Sequence, residues 1–167
     1  MPRPPQRSRL RGALAALPVS FLLVSTPRPA LAQAPAIITV AVPASDYARA
    51  REALQDAIEN QGLVLGPVSH FGEMLERTGP SLGRNGRVYK QAEVFHFCSA
   101  TIAWRLVEEN PANIALCPLS VTLYTLPDTA DSVYFSYRTP GDASLGRQQA
   151  SELLRRIVAE ATANARR

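Results

Sequence analysis

Two cysteines, two histidines and one internal methionine carry nearly all the soft-ligand and redox chemistry open to this chain. His96 and Cys98 are two residues apart, so on a strand they share a face and offer an imidazole and a thiolate to copper, zinc or haem iron. His70 and Met74 form a second pair four apart. One expectation is therefore a metal or haem site drawn from His70, Met74, His96 and Cys98, holding copper or haem. The alternative is structural: a strand histidine engaged in a hydrogen bond, and Met74 filling core space.

Cys98 also ends an apolar strand just before a helix, where unpaired backbone N–H groups and the helix dipole favour a thiolate. That siting makes Cys98 the candidate nucleophile or redox residue. A disulfide between Cys98 and Cys117 is a second reading, because two cysteines in an oxidising compartment usually pair. Closing a loop of this size contributes roughly 3 kcal/mol. Strand alternation predicts the two sulfurs on opposite faces, unless Pro118 shifts the register by one. Two unpaired thiols acting as small hydrophobes is the third reading.

Arg84, Arg87 and Lys90 surround a glycine-rich loop, residues 79–87, that either closes over an anionic ligand or is simply solvated. The sequence contains no dinucleotide fingerprint, phosphate-binding loop, nucleophile elbow or paired zinc-ligand motif. Hydrolase and nucleotide-binding classes lose their main support.

The elements that must position these residues are legible from periodicity. Residues 37–42 form a β-branched run stopped by Pro43, and 46–61 repeat apolar positions at helical spacing behind a Ser45 cap, with Gly62 as the stop. Residues 63–70 predict a second strand bent at Gly66 and Pro67, 73–77 a helical turn, and 92–98 a third strand. Ser99 caps a helix that Pro111 ends. Residues 114–126 predict a long strand interrupted at Pro118 and paired in a hairpin with 132–137, and 148–163 a final amphipathic helix.

Helices apolar on one stripe only, set against about five strands, predict an α+β fold with an antiparallel sheet and helices on one face. With Phe95, Phe97, Leu119, Val121, Leu123, Val133, Phe135 and Tyr137 turned to the helices, the open face carries His96, Cys98, Tyr124 and Tyr134. Cys117 is placed on the core side by the same count. His96, Tyr124, Tyr134, Arg84 and Arg87 are the candidate ligand-binding residues.

Residues 1–32 read as a secretory signal peptide: four arginines without an acid in residues 1–11, an apolar run of about 13 residues broken by Pro18 and Ser20, and Ala30-Leu31-Ala32 before Gln33. The run is shorter than the roughly 20 residues a spanning helix needs, so no stable membrane anchor is expected. Residues 33–36 are a short linker and 37–165 one domain. Five of the 18 Lys and Arg lie in the signal and none of the 14 Asp and Glu, which leaves 13 basic against 14 acidic residues beyond it. The field that would attract nucleic acid is absent from that form. A periplasmic or secreted location follows.

The run from Tyr47 to Gly62, His70-Phe-Gly-Glu-Met-Leu-Glu-Arg-Thr-Gly79, Phe97-Cys-Ser-Ala100 and Asn110-Pro-Ala-Asn-Ile-Ala-Leu-Cys-Pro118, in that order, resemble the exported branch of the domain-of-unknown-function family 302. The resemblance implies a fold like the TATA-binding protein, often dimeric, and implies no activity and no DNA binding. The expected function is a non-enzymatic periplasmic binding or interaction module that offers its open sheet face to a small ligand, a metal or haem, or a second subunit as a homodimer. A thiol-dependent redox protein using Cys98 is the alternative.

Overall fold

The computed structural model describes residues 36–129 and 131–167; the expected signal at residues 1–32 lies outside them. Strand β1 (Ile37–Pro43) leads to helix α1 (Tyr47–Asn60), β2 (Val64–Ser69), α2 (Phe71–Thr78), β3 (Gln91–Cys98), α3 (Ala100–Glu109), β4 (Leu119–Thr125), β5 (Ser132–Arg138) and α4 (Leu145–Ala165). The strands form one antiparallel sheet in the order β1-β5-β4-β3-β2. The fold is α+β.

Period-two alternation sorts the sheet into two faces. Phe95, Phe97, Leu119, Val121, Leu123, Val133, Phe135 and Tyr137 are buried and pack with α1 (Ala50, Leu54, Ala57, Ile58) and α4 (Leu153, Leu154, Ile157, Val158, Ala161). Burying each large side chain of this set contributes about 1.5–3 kcal/mol against the entropy of ordering the chain. Helices α1 and α4 also pack on each other, whereas α3 rests on α4 and on the 3₁₀ segment Pro111–Leu116.

Local chemistry explains the boundaries. Asp46, not Ser45, caps α1, accepting the backbone N–H groups of Ala48 at 2.6 Å and Arg49 at 3.2 Å. Ser45 instead donates to the carbonyl of Ala165 at the end of α4. The expected bend in β2 is a bulge between Leu65 and Val68. At Gly72 a Cβ would lie 3.1 Å from the backbone nitrogen of Ala92, so glycine lets α2 close on β3.

The expected long strand over residues 114–126 is corrected. Residues 114–116 belong to a 3₁₀ segment, because Pro111 presets its first turn and Asn110 caps it by accepting the N–H of Ala112 at 2.9 Å. The strand starts only at Leu119, after a cis Cys117–Pro118 peptide. Cys117 is therefore off the strand and half-buried rather than turned into the core. No helix among the described residues is long and apolar enough to cross a membrane.

Candidate functional site

Tyr124 of β4 and Tyr134 of β5 are paired across the sheet and stack at 5.1 Å with 13° between their planes. Tyr89, two residues before β3, meets Tyr124 edge-on at 5.4 Å, and Phe71 at the start of α2 meets Tyr89 edge-on at 6.4 Å. The four rings form a continuous ladder along one end of the open face. Offset-stacked and edge-to-face pairs hold each other in place and add about 0.5–1.5 kcal/mol per pair beyond their burial.

Beside the ladder lies a cavity of about 490 Å³ lined by Thr39, Phe71, Tyr89, Thr122, Tyr124 and Arg138, among others. Its size is that of a small-molecule site, and its lining mixes aromatic rings with hydroxyl and charged side chains. The Ser136 hydroxyl, at the floor, shares a 2.8 Å hydrogen bond with Thr39. Glu93 also reaches this wall, but its charge is committed elsewhere, which leaves Arg138 as the cavity's guanidinium.

Glu93 sits at the inward parity of β3 with Phe95 and Phe97 and is buried. Its carboxylate accepts from Tyr47 Oη at 3.1 Å and Arg51 Nε at 2.9 Å, and His70 Nδ1 lies 3.1 Å away. Arg51 is held in turn by Gln55 and lies over the Phe95 ring. Burial, and then the neighbouring Glu93 charge, push the Tyr47 hydroxyl well above the ordinary tyrosine range. The network ties α1 and α2 to β3 and fixes the end of the sheet on which Phe71 and Tyr89 stand.

The candidate residues named from sequence do not converge on one site. His96 is on the open face opposite Ser120, and its Nε2 is 3.2 Å from the Ser69 hydroxyl. His70 is turned to Glu93, and Met74 lies within α2 against Thr78. Cys98 is exposed at the far end of β3. The four-residue ligand set is thus not assembled, because β2 and β3 aim the two histidines at different partners; among the described residues no three His, Cys, Asp or Glu side chains could hold a metal ion together.

Arg87 pairs with Glu76 at 2.7 Å and borders a separate cavity of about 440 Å³ with His70 and Lys90. Arg84 is exposed on the loop and does not line the cavity beside the aromatic ladder. The anion-binding reading of that loop loses Arg87 to its acid partner. A larger groove of about 760 Å³ runs between β1 and α4, lined by Ile38, Val40, Tyr137, Val158 and Thr162, but its charged pair, Glu152 and Arg155, is closed on itself at 2.6 Å.

The two cysteines come together, contrary to the expected opposite faces. Phe97 pairs with Leu119, so Cys98 and Cys117 flank the same end of the β3–β4 ladder. Both thiols are free, and Cys117 is pushed up by burial, then by the charge and side-chain hydrogen bonding of Cys98.

Phe71, Tyr89, Glu93 and Arg138 were not singled out from sequence. Glu93 had a signal, an acid at the inward parity of a strand otherwise alternating correctly. Phe71 and Tyr89 lie outside the strands, so periodicity could not assign them a face.

The comparisons with known proteins agree with this architecture. The family model described as "Domain of unknown function DUF302" matches residues 38–167. The crystal structure of an uncharacterized conserved protein DUF302 from Bacillus stearothermophilus is similar, with a TM-score of 0.59 and 15% identity over 78% of this chain and 98% of that chain. No curated protein matches. The family match, spanning nearly the whole folded domain, makes this chain a member of the DUF302 family.

Proposed function

We propose that this protein is an exported binding module whose ligand is a small flat molecule with an anionic group, held on the open sheet face. The observation that carries the reading is the ladder Phe71–Tyr89–Tyr124–Tyr134 beside a cavity bordered by Arg138, which pairs with no acid among the described residues. Aromatic rings pre-set by mutual contact receive a planar ligand at little entropic cost, and a guanidinium recognises a carboxylate or sulfonate through paired donors. Export rests on the basic and apolar N-terminal pattern with its Ala-Leu-Ala cleavage site. Near-neutral charge beyond the signal supports a small-molecule partner over nucleic acid.

The test uses anilinonaphthalene sulfonate, an aromatic anion with a planar naphthalene ring whose emission rises in an apolar site. The expected result is saturable binding that falls about tenfold or more in Tyr124→Ser and in Arg138→Gln, each with unchanged circular dichroism, on the scale of a lost ring stack or charge-assisted hydrogen bond. Binding unaffected by both substitutions overturns the reading. So does a stable dimer in sedimentation that Tyr124→Ser splits into monomers, since a second copy then occupies the face.

A further inference from the structure

We propose that Cys98 and Cys117 form a reversible dithiol–disulfide pair, in which exposed Cys98 attacks an external disulfide and half-buried Cys117 resolves the adduct. The inference does not depend on a ligand for the open face.

The geometry begins with strand register. Phe97 lies opposite Leu119, so the next residue of β3, Cys98, faces the one before Leu119, and Cys117 follows diagonally. Cys98 and Cys117 are thus diagonal neighbours at the end of the ladder, one residue off direct pairing, and a disulfide between them needs Cα atoms roughly 4.4–6.8 Å apart. The register places the two thiols near enough that Cys98, after burial, helps to push the Cys117 thiol up. Both residues stand at the ends of elements. Cys98 ends β3 just before the Ser99 cap of α3, and Cys117 caps the 3₁₀ segment ahead of β4, so closure asks for little movement of the ladder.

Exposure divides the roles. Cys98 is open to solvent and to a reagent, whereas Cys117 is half-buried, and desolvation leads the effects that hold its proton. The reaction balances without any group outside the two partners. Cys98, as thiolate, attacks one sulfur of a small-molecule disulfide; the S–S bond of the reagent breaks and one thiol leaves. Cys117 then loses its proton to water, attacks Cys98 Sγ and displaces the second thiol. Two protein thiols become one disulfide, and one external disulfide becomes two thiols, with two electrons and two protons transferred. The bond encloses α3 and the 3₁₀ segment in one loop.

The experiment exposes the reduced, folded chain to oxidised glutathione and follows thiol alkylation and intact mass. The expected product has no alkylatable thiol, two hydrogens fewer, and no retained glutathione; dithiothreitol reverses it. Cys117→Ser is expected to trap one glutathione on Cys98. In Cys98→Ser the remaining Cys117 should react about tenfold or more slowly than Cys98 does alone. A wild-type chain that keeps both thiols, or that retains glutathione without closing the protein disulfide, overturns the pair. Equal reactivity of the two single variants overturns the assignment of attack and resolution. The wild-type arm decides the first point even where a variant folds poorly.

Discussion

Tyr124 and Tyr134 face each other across β4 and β5 with their rings nearly parallel, and that stack is the middle of a four-ring ladder on the sheet face that α1 and α4 leave uncovered. Both rings are only half-buried. Four contiguous aromatic side chains, each partly open to solvent, offer a continuous apolar surface of the kind that serves as a contact site.

The stack should register as a coupling energy. In a double-mutant cycle of Tyr124→Ala and Tyr134→Ala followed by urea unfolding, the expected interaction is about 0.5–1.5 kcal/mol. Strict additivity of the two single losses would show that the rings are merely adjacent.

Glu93 and its partners predict both a stability loss and an alkaline pH dependence. Removing one member of a fully buried ion pair costs about 3–5 kcal/mol. Arg51 is 35% exposed, so water screens part of the effect and Glu93→Gln is expected to cost about 2 kcal/mol in urea. Tyr47 holds its proton more tightly folded than unfolded. Above the ordinary tyrosine value of about 10 the unfolded chain therefore releases a proton that the folded chain keeps, and stability falls as pH rises through that window. Tyr47→Phe should flatten the fall between about pH 10 and 12; an unchanged slope would contradict the assignment.

At the acid end the sign reverses. Glu109, at the end of α3, accepts from the Ser144 hydroxyl and, at 2.7 Å, from the Gly146 N–H at the start of α4, and these bonds hold its carboxyl below the usual glutamate range. The unfolded chain takes up the proton first as pH drops, so this contribution is present above the ordinary glutamate value and is lost as pH falls through the folded one. Glu109→Gln is expected to weaken the acid dependence of thermal unfolding and to loosen amide protection at the start of α4. Identical acid limbs for the two proteins would rule this out.

Most of the scaffold was readable because its residues report on themselves: Phe95, Phe97, Val133 and Phe135 alternate strictly, and Leu54, Ile58, Leu154 and Ile157 recur at helical spacing. The failures have different causes. Ile114-Ala-Leu116 has a strand-like composition, but the local Asn110 cap and the Pro111 first turn make it a 3₁₀ segment, which ends beside Cys98 at Cys117. The aromatic ladder was half legible: Tyr124 and Tyr134 follow from alternation, whereas Phe71 and Tyr89 arrive through the docking of α2 on β3, a contact that no local pattern encodes.

Export is checked at the N-terminus. Produced in a bacterium with an intact secretion route, the chain is expected to appear outside the cytoplasm beginning at Gln33, and Ala32→Tyr should leave the precursor uncut, since the peptidase pocket reads a small residue there. A cytoplasmic product that retains residues 1–32 would contradict export.

The central claim, that the open sheet face is the binding surface, is tested most directly by assigning the backbone and aromatic resonances and titrating the chain with anilinonaphthalene sulfonate. The account predicts shifts concentrated at Phe71, Tyr89, Tyr124, Tyr134 and Arg138. Shifts concentrated instead at Ile38, Val40, Val158 and Thr162, in the groove between β1 and α4, would contradict it.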